Sequence, residues 1–195
     1  MNKPLLLFVG RSASGKTTIA NLLSEKHGYK QVESYTTRTP RFDGERGHIF
    51  VNEEEFKNLG ELAAYTYYNN NHYGTTFDQL NECDIYVIDV PGVEMLLQKM
   101  QENERPISIF YFDVSVHNRI LRMKSRGDSD TMIINRLLHD EKDDWHKQLD
   151  SIVWKYTNIM SRKVDMCIVN ANDDLSNVLD LVLYYINNYT GENVW

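Results

Sequence analysis

The sequence predicts a three-layer α/β fold, with a central parallel sheet and helices on both of its faces. Three observations predict it. Short apolar runs recur along the chain: "LLLFVG" (5–10), "DIYVIDV" (84–90), "ISIFYFDV" (107–114) and "MCIVN" (166–170). Such runs suit strands buried on both faces. Between them lie segments whose apolar residues recur at helical spacing, and strand–helix alternation is the signature of a parallel sheet. The first run also ends at a glycine that opens a tight turn into the first helical segment.

Taken in order, "LLLFVG" is the first strand, and "KTTIANLLSEKHG" is a helix with Ile19, Leu22 and Leu23 on one face and Gly28 as its stop. Residues 29–80 differ in texture. They are rich in Tyr, Thr, Asn and Gly and read as short strands and loops inserted over one edge of the sheet, with one helical piece at "NEEEFKNLG". Alternation then returns: strand "DIYVIDV", helix "PGVEMLLQKMQEN" with Pro91 at a tolerated first-turn position, strand "ISIFYFDV", and helix "SVHNRILRMKSRG" ending near Gly127. A long polar and aromatic helical region covers roughly 130–160. "MCIVN" is the last strand and "DDLSNVLDLVLYYINNY" a closing amphipathic helix. "NNN" at 69–71 reads as a polar loop.

A chain of 195 residues suits one domain. Its 28 Asp+Glu outnumber 21 Lys+Arg, for a net charge of −7. That balance argues against a general nucleic-acid or anionic-membrane binder, which needs a broad basic surface. No apolar run approaches a membrane span, and "PLLLFVG" is too short for a signal-peptide core. The two cysteines, Cys83 and Cys167, lie in no metal-type spacing. A buried thiol is expected at Cys167, and a reducing cytoplasm is the expected setting. The sequence leaves the oligomeric state open.

"GRSASGKTT" matches G-x-x-x-x-G-K-[ST] through Gly10, Gly15, Lys16 and Thr17. Glycines let the backbone curl around phosphates without side chains in the way. The N–H groups of the loop, here Ser12, Ala13, Ser14, Gly15, Lys16, Thr17 and Thr18, then converge at the positive end of a helix. Lys16 would reach the β- and γ-phosphates, and the Thr17 hydroxyl would ligate Mg²⁺. With a strand before it and a helix after it, the motif predicts a P-loop fold that binds a nucleoside triphosphate.

"SYTTRTPR" (34–41) places Arg38 and Arg41 three residues apart among hydroxyl residues, with no acid in the stretch. Arginine's planar fork suits phosphate oxygens. On composition alone, a solvated loop with two incidental arginines explains the stretch equally well. Arg119, Arg122 and Arg126, at i, i+3 and i+7, share a helix face that a purely exposed role would also explain.

The segment "ESYTTRTPRFDGERGHIFVNEEEF" resembles the guanylate kinase family, in which a similar stretch binds the phosphate of GMP. "NNHYGTT" resembles its Tyr-Gly-Thr/Ser acceptor loop, "VIDVPGV" its Asp-x-Gln-Gly segment, "LRMKSRGDS" with "NRLLHDE" its arginine-bearing lid, and "CIVNANDDL" its turn near the adenine of ATP. These segments follow the family's order over roughly residues 5–176. The resemblance implies a core of about 1–33, 81–122 and 160–195, an inserted mixed β acceptor-binding subdomain at about 34–80, and a helical lid at about 123–140. It implies ATP with Mg²⁺ as donor and GMP or dGMP as acceptor. Arg38, Arg41 and Tyr73 would hold the acceptor phosphate, and Ser34, Thr75 and Asp89 would face the base. Lys16, Arg126 and Arg136 would act on the transferring phosphoryl group, with Arg122 nearby and Asn170 beside the donor nucleotide.

The chain departs from that pattern at three places. Ala64, nine residues before Tyr73, stands where the family has a guanine-reading glutamate. Glu61 lies three residues further back, on the other strand face unless a bulge intervenes. His48 stands where the family has a phosphate-binding tyrosine, and Val87 replaces the first acid of Asp-x-Asp. A kinase for another nucleotide or a sugar phosphate, and a non-catalytic binding module, are the alternatives. Lys16 and the lid arginines weigh against the module.

Overall fold

The computed structural model describes residues 3–40, 43–101, 105–142, 144–159 and 164–189. Its main sheet is built from β1 (Leu5–Val9), β6 (Ile85–Val87), β7 (Ile107–Asp113) and β8 (Val164–Asn170), all parallel, in the order β6-β1-β7-β8. All five residues of β1 are buried. Leu5, Leu7 and Val9 point into one apolar cluster and Leu6 and Phe8 into the other, as the two-residue period of a strand requires.

Helices α4 (Val90–Lys99) and α7 (Trp145–Ile159) cover the first face through Val93, Leu96, Leu97, Leu149 and Tyr156. Helices α1 (Lys16–His27) and α8 (Leu175–Tyr189) cover the second through Ile19, Leu23, Val178 and Val182. This is the three-layer α/β arrangement expected from the sequence. Gly28 closes α1 in the left-handed conformation that only glycine adopts cheaply, with φ 72°.

A second, mixed sheet occupies the inserted region, in the order β3-β2-β5-β4. It comprises β2 (Ser34–Thr36), β3 (His48–Phe50), β4 (Leu62–Tyr68) and β5 (Asn71–Thr76), with α2 (Glu53–Lys57) between β3 and β4. Of the polar loop expected at 69–71, Asn69 and Asn70 form a two-residue hairpin turn and Asn71 begins β5. Asn69 and Asn70 both take positive φ (48° and 60°), the conformation asparagine tolerates best after glycine. The short α3 (Phe77–Glu82) leads back to the main sheet.

Two boundaries and one burial differ from expectation. The run "DIYVIDV" is a strand only over Ile85–Val87, because Asp89 caps α4 by accepting a hydrogen bond from the Gly92 N–H at 2.8 Å. The helical region after 130 is two helices, α6 (Asp130–Asp140) and α7, with Glu141 capping the C-terminus of α6. Cys167 is half-buried rather than buried, since β8 is the edge strand of the sheet. Partial burial, with Asp165 nearby, still pushes its thiol up to about 12.

Candidate functional site

The turn after β1 is shaped by residues that tolerate unusual backbone. Gly10 has φ 153°, and a Cβ there would lie 2.7 Å from the Phe112 carbonyl oxygen, so a side chain is excluded. Ala13 and Gly15 also take positive φ, at 62° and 98°. The loop thus curls over the start of α1, which has no side-chain N-cap. Thr17 and Thr18 are exposed in its first turn. A helix start left open in this way attracts anions.

Lys16 folds back on the loop. Its ammonium donates to the carbonyls of Gly10 and Arg11 and to the Ser14 hydroxyl. Removal from water draws its pKa down from 10.5 to about 8, against an opposing pull from Asp140. Arg122 braces the loop from behind. It donates to the Ala13 and Ser14 carbonyls at 3.3 Å and to Ala171 O, just past β8, at 2.6 Å.

Arg119, on helix α5 (Val116–Ser125), is not an exposed residue. It is fully buried, donating to Ser12 O at 3.0 Å, to Asp140 and to Glu141. Asp140 in turn accepts from the Ser12 N–H at 2.7 Å. No motif announces this cluster. The one available signal was Met123, whose apolar side chain four residues on marks the buried stripe of α5.

Across a cleft of about 430 Å³ stands the second sheet. Ser12 and Lys16 line one side, and Ser34, His48 and Tyr73 line the other. The β2–β3 register sets Ser34 opposite His48, and the Ser34 hydroxyl meets His48 Nδ1 at 2.9 Å. The His48 and Tyr73 rings touch edge-on at 5.8 Å. Arg38 is forked onto Glu45, with its Nε buried and without a hydrogen-bond partner among the described residues. Arg41 lies outside the described residues.

Asp89 sits at the cleft's inner end. Burial raises its pKa, while the Gly92 N–H and the Thr66 hydroxyl, both donating to Oδ1, act in the opposite sense. Thr75 is fully buried near the Tyr86 phenol, behind the cleft wall rather than among the residues lining it. Ala64 pairs with Thr75 and reaches the cleft. A register shift does fall between Leu62 and Ala64, yet Glu61 is 73% exposed and pairs with Lys99. The bulge does not bring Glu61 into the site. Val87 packs against the second core cluster and offers no acid.

The lid arginines are not gathered with the rest. Arg126 donates to Asp128, and Arg136 Nε lies 3.8 Å from the same carboxylate. Asn170 is exposed at the end of β8, where its side chain accepts from the Asn172 N–H and amide.

The chain is 33% identical over 159 residues to the guanylate kinase of Mycoplasmoides gallisepticum, an alignment covering 74% of this chain and 80% of that one. It belongs to the guanylate kinase family. The guanylate kinase of Neisseria gonorrhoeae is 28% identical over 196 residues, covering 94% of this chain and 86% of the relative. No family model matches the chain. Among solved structures, the guanylate kinase of Anaplasma phagocytophilum shares the fold, with a TM-score of 0.54 at 18% identity, covering 98% of this chain and 88% of that one. Ala64 and His48 line the acceptor half of the cleft, whereas Val87 lies on β6, paired with Phe8 of the strand that leads into the loop.

Proposed function

We propose that this protein transfers the γ-phosphoryl group of ATP to GMP or dGMP, giving ADP and GDP or dGDP. The observation that carries the reading is one cleft with a P-loop on one wall and a hydroxyl- and ring-bearing sheet on the other. Family membership supports it independently. An acceptor phosphate oxygen attacks the γ-phosphorus in line, and the bond to the ADP oxygen breaks. That oxygen is already ionised at neutral pH, so no strong base is needed. The work is positioning and charge neutralisation.

Lys16 and the loop amides take the donor phosphates. Arg38, Arg41 and Tyr73 take the acceptor phosphate, with His48 within reach of the same wall. Ser34 and Asp89 read the base, and Thr75 supports that wall from behind. Arg126 and Arg136 join when the segment around 123–140 closes, trading Asp128 for phosphate. Arg122 holds the loop's shape, and Asn170 lies near the expected adenine. Mg²⁺ fits as an ion carried in on the triphosphate. Thr17, exposed in the first turn of α1, would be its protein ligand. When bound, the ion screens the phosphate charges. Among the described residues no helix is long and apolar enough to cross a membrane. A cytoplasmic setting, where both nucleotides are supplied, fits this reading.

A second reading is favoured by one observation. With alanine at 64 and Glu61 turned away, the base wall holds one carboxylate, and an acceptor with another base is less strongly rejected. A transfer assay with ATP and Mg²⁺ across GMP, dGMP, AMP, CMP, UMP and dTMP, detecting each diphosphate directly, separates the two. Preference for GMP or dGMP is the expected result. Preference for another base favours the second reading, and turnover of none of the six overturns both.

A further inference from the structure

The P-loop here already holds an anion, and that anion belongs to the protein. Asp140 is the last residue of α6, and it is 3% exposed. Its Oδ2 accepts from the Ser12 N–H at 2.7 Å, and its Oδ1 accepts from the Ser12 hydroxyl at 3.3 Å. Arg119 donates to the same carboxylate and to the Ser12 carbonyl. Glu141, the next residue, accepts from Arg119 at 2.8 Å and, through both its oxygens, from Arg11 at 2.8 Å. Two arginines and two carboxylates therefore strap the end of α6 to two consecutive P-loop residues. The transfer chemistry described above uses none of the four.

An inward-facing P-loop N–H is a phosphate-binding group. Ser12, Lys16 and Asp140 line the same cleft. We infer that Asp140 is a stand-in for a donor phosphate oxygen: it fills the Ser12 end of the loop until a triphosphate displaces it. The inference rests on the reading of this loop as the triphosphate site.

Charge makes the exchange work in one direction. A carboxylate and a phosphate oxygen repel strongly at hydrogen-bond range in a partly desolvated cleft, so both cannot share one N–H. The phosphate carries more charge and can also draw Lys16 away from the Gly10 and Arg11 carbonyls and the Ser14 hydroxyl that it now meets. Arg119 is not orphaned when Asp140 leaves, because Glu141 and the Ser12 carbonyl still hold it. Asp140 is one helical turn beyond Arg136 on α6, so the two project from the same side of that helix. Displacing Asp140 therefore removes one of the two carboxylate ties that hold the end of the helix carrying a lid arginine. Donor binding and lid release become one event, and Asp140 and Arg119 are positioning residues for it.

The test is ATP binding without acceptor. Calorimetric titration of the wild type and of Asp140→Asn should show the variant binding ATP at least about fivefold more tightly, because a neutral amide is a weaker occupant than a carboxylate. Equal or weaker affinity overturns the inference, since a merely structural Asp140 predicts loss. Should the variant fail to fold, hydrogen exchange on the wild type decides alone. Adding ATP should slow the amides of residues 10–18 and speed those of residues 137–142. Unchanged or slower exchange at 137–142 overturns the inference. A wild type that binds ATP and slows only its P-loop sinks this proposal and leaves the kinase reading standing. One that shows no ATP binding and no P-loop protection sinks both.

Discussion

The two walls of the cleft are built by different means. The donor wall is made of backbone: Gly10, Ala13 and Gly15 hold positive φ, and the amides around them are the groups proposed to bind phosphate. The acceptor wall is made of side chains: Ser34, His48 and Tyr73 arrive from three strands and Asp89 from the cap of α4. A backbone site is specified by a short contiguous motif and tolerates little change. At Gly10 a single Cβ would collide with Phe112 O. A side-chain site can lose one member and keep its shape, as Ala64 shows. Divergence should therefore gather on the acceptor wall; Ala64 and His48 lie there, whereas Val87 sits on β6 beside the strand that feeds the loop.

The largest effect should come from breaking the donor wall's one indispensable side chain. Lys16→Met should lower kcat by about a thousandfold, since it removes a preorganised cation from a desolvated phosphoryl-transfer site. Acceptor binding, measured by titrating GMP into the ATP-free variant, should be nearly unchanged. If turnover survives within tenfold, Lys16 is not the group that neutralises the transferring phosphate.

On the acceptor wall, Arg38→Ala should raise the acceptor KM by roughly 10- to 100-fold while leaving ATP affinity almost intact. That range corresponds to one lost charge-assisted contact. Glu45, now forked onto Arg38, would be left without that partner, which adds to the loss. Steady-state kinetics with each substrate varied in turn checks the split. A change confined to the ATP KM would reassign Arg38 to the donor.

A smaller effect sharpens the comparison rather than breaking it. Ala64→Glu restores a carboxylate to a strand position that already reaches the cleft. It should raise discrimination of GMP over AMP by about tenfold, because a paired buried acceptor strengthens rejection of bases that leave it unpaired. Ratios of kcat/KM for the two acceptors provide the readout. No gain in the ratio would mean that Asp89, with Thr66 and Gly92 behind it, already sets base choice.

The same contrast explains what could be read from the chain before folding. The sheet, its flanking helices and the P-loop were legible because strand burial and backbone conformation leave local marks, such as "LLLFVG" running into Gly10. The extra strand length assigned through Val90 failed because a capping carboxylate and a strand end look alike without the Gly92 contact. Glu61 could be judged only once the bulge was seen to leave it beside Lys99. Arg119 was least legible. Its helix spacing matches Arg122 and Arg126, and only the arrival of Asp140, twenty-one residues away, separates a buried arginine from an exposed one.

The smallest predicted effect returns to the donor wall and follows from the depressed pKa of Lys16. In the free protein, burial holds that ammonium at a pKa of about 8. Only the protonated form neutralises phosphate, so ATP affinity should be flat below pH 7 and weaken above about pH 8. Between pH 7 and 8.5 the protonated fraction, and with it the affinity, should fall about fourfold. Bound phosphate stabilises the ammonium, so binding near pH 8 should take up a proton. Calorimetry in buffers of different ionisation enthalpy would measure that uptake directly. Folding stability moves the other way. A pKa lowered in the folded state means that the unfolded chain binds the extra proton, so this contribution disfavours folding below about pH 8 and fades as the pH rises toward 10.5. Lys16→Met should abolish both trends. Binding that ignores pH between 7 and 8.5 in the wild type would mean that Lys16 keeps its proton throughout, held by Asp140 more firmly than burial can oppose.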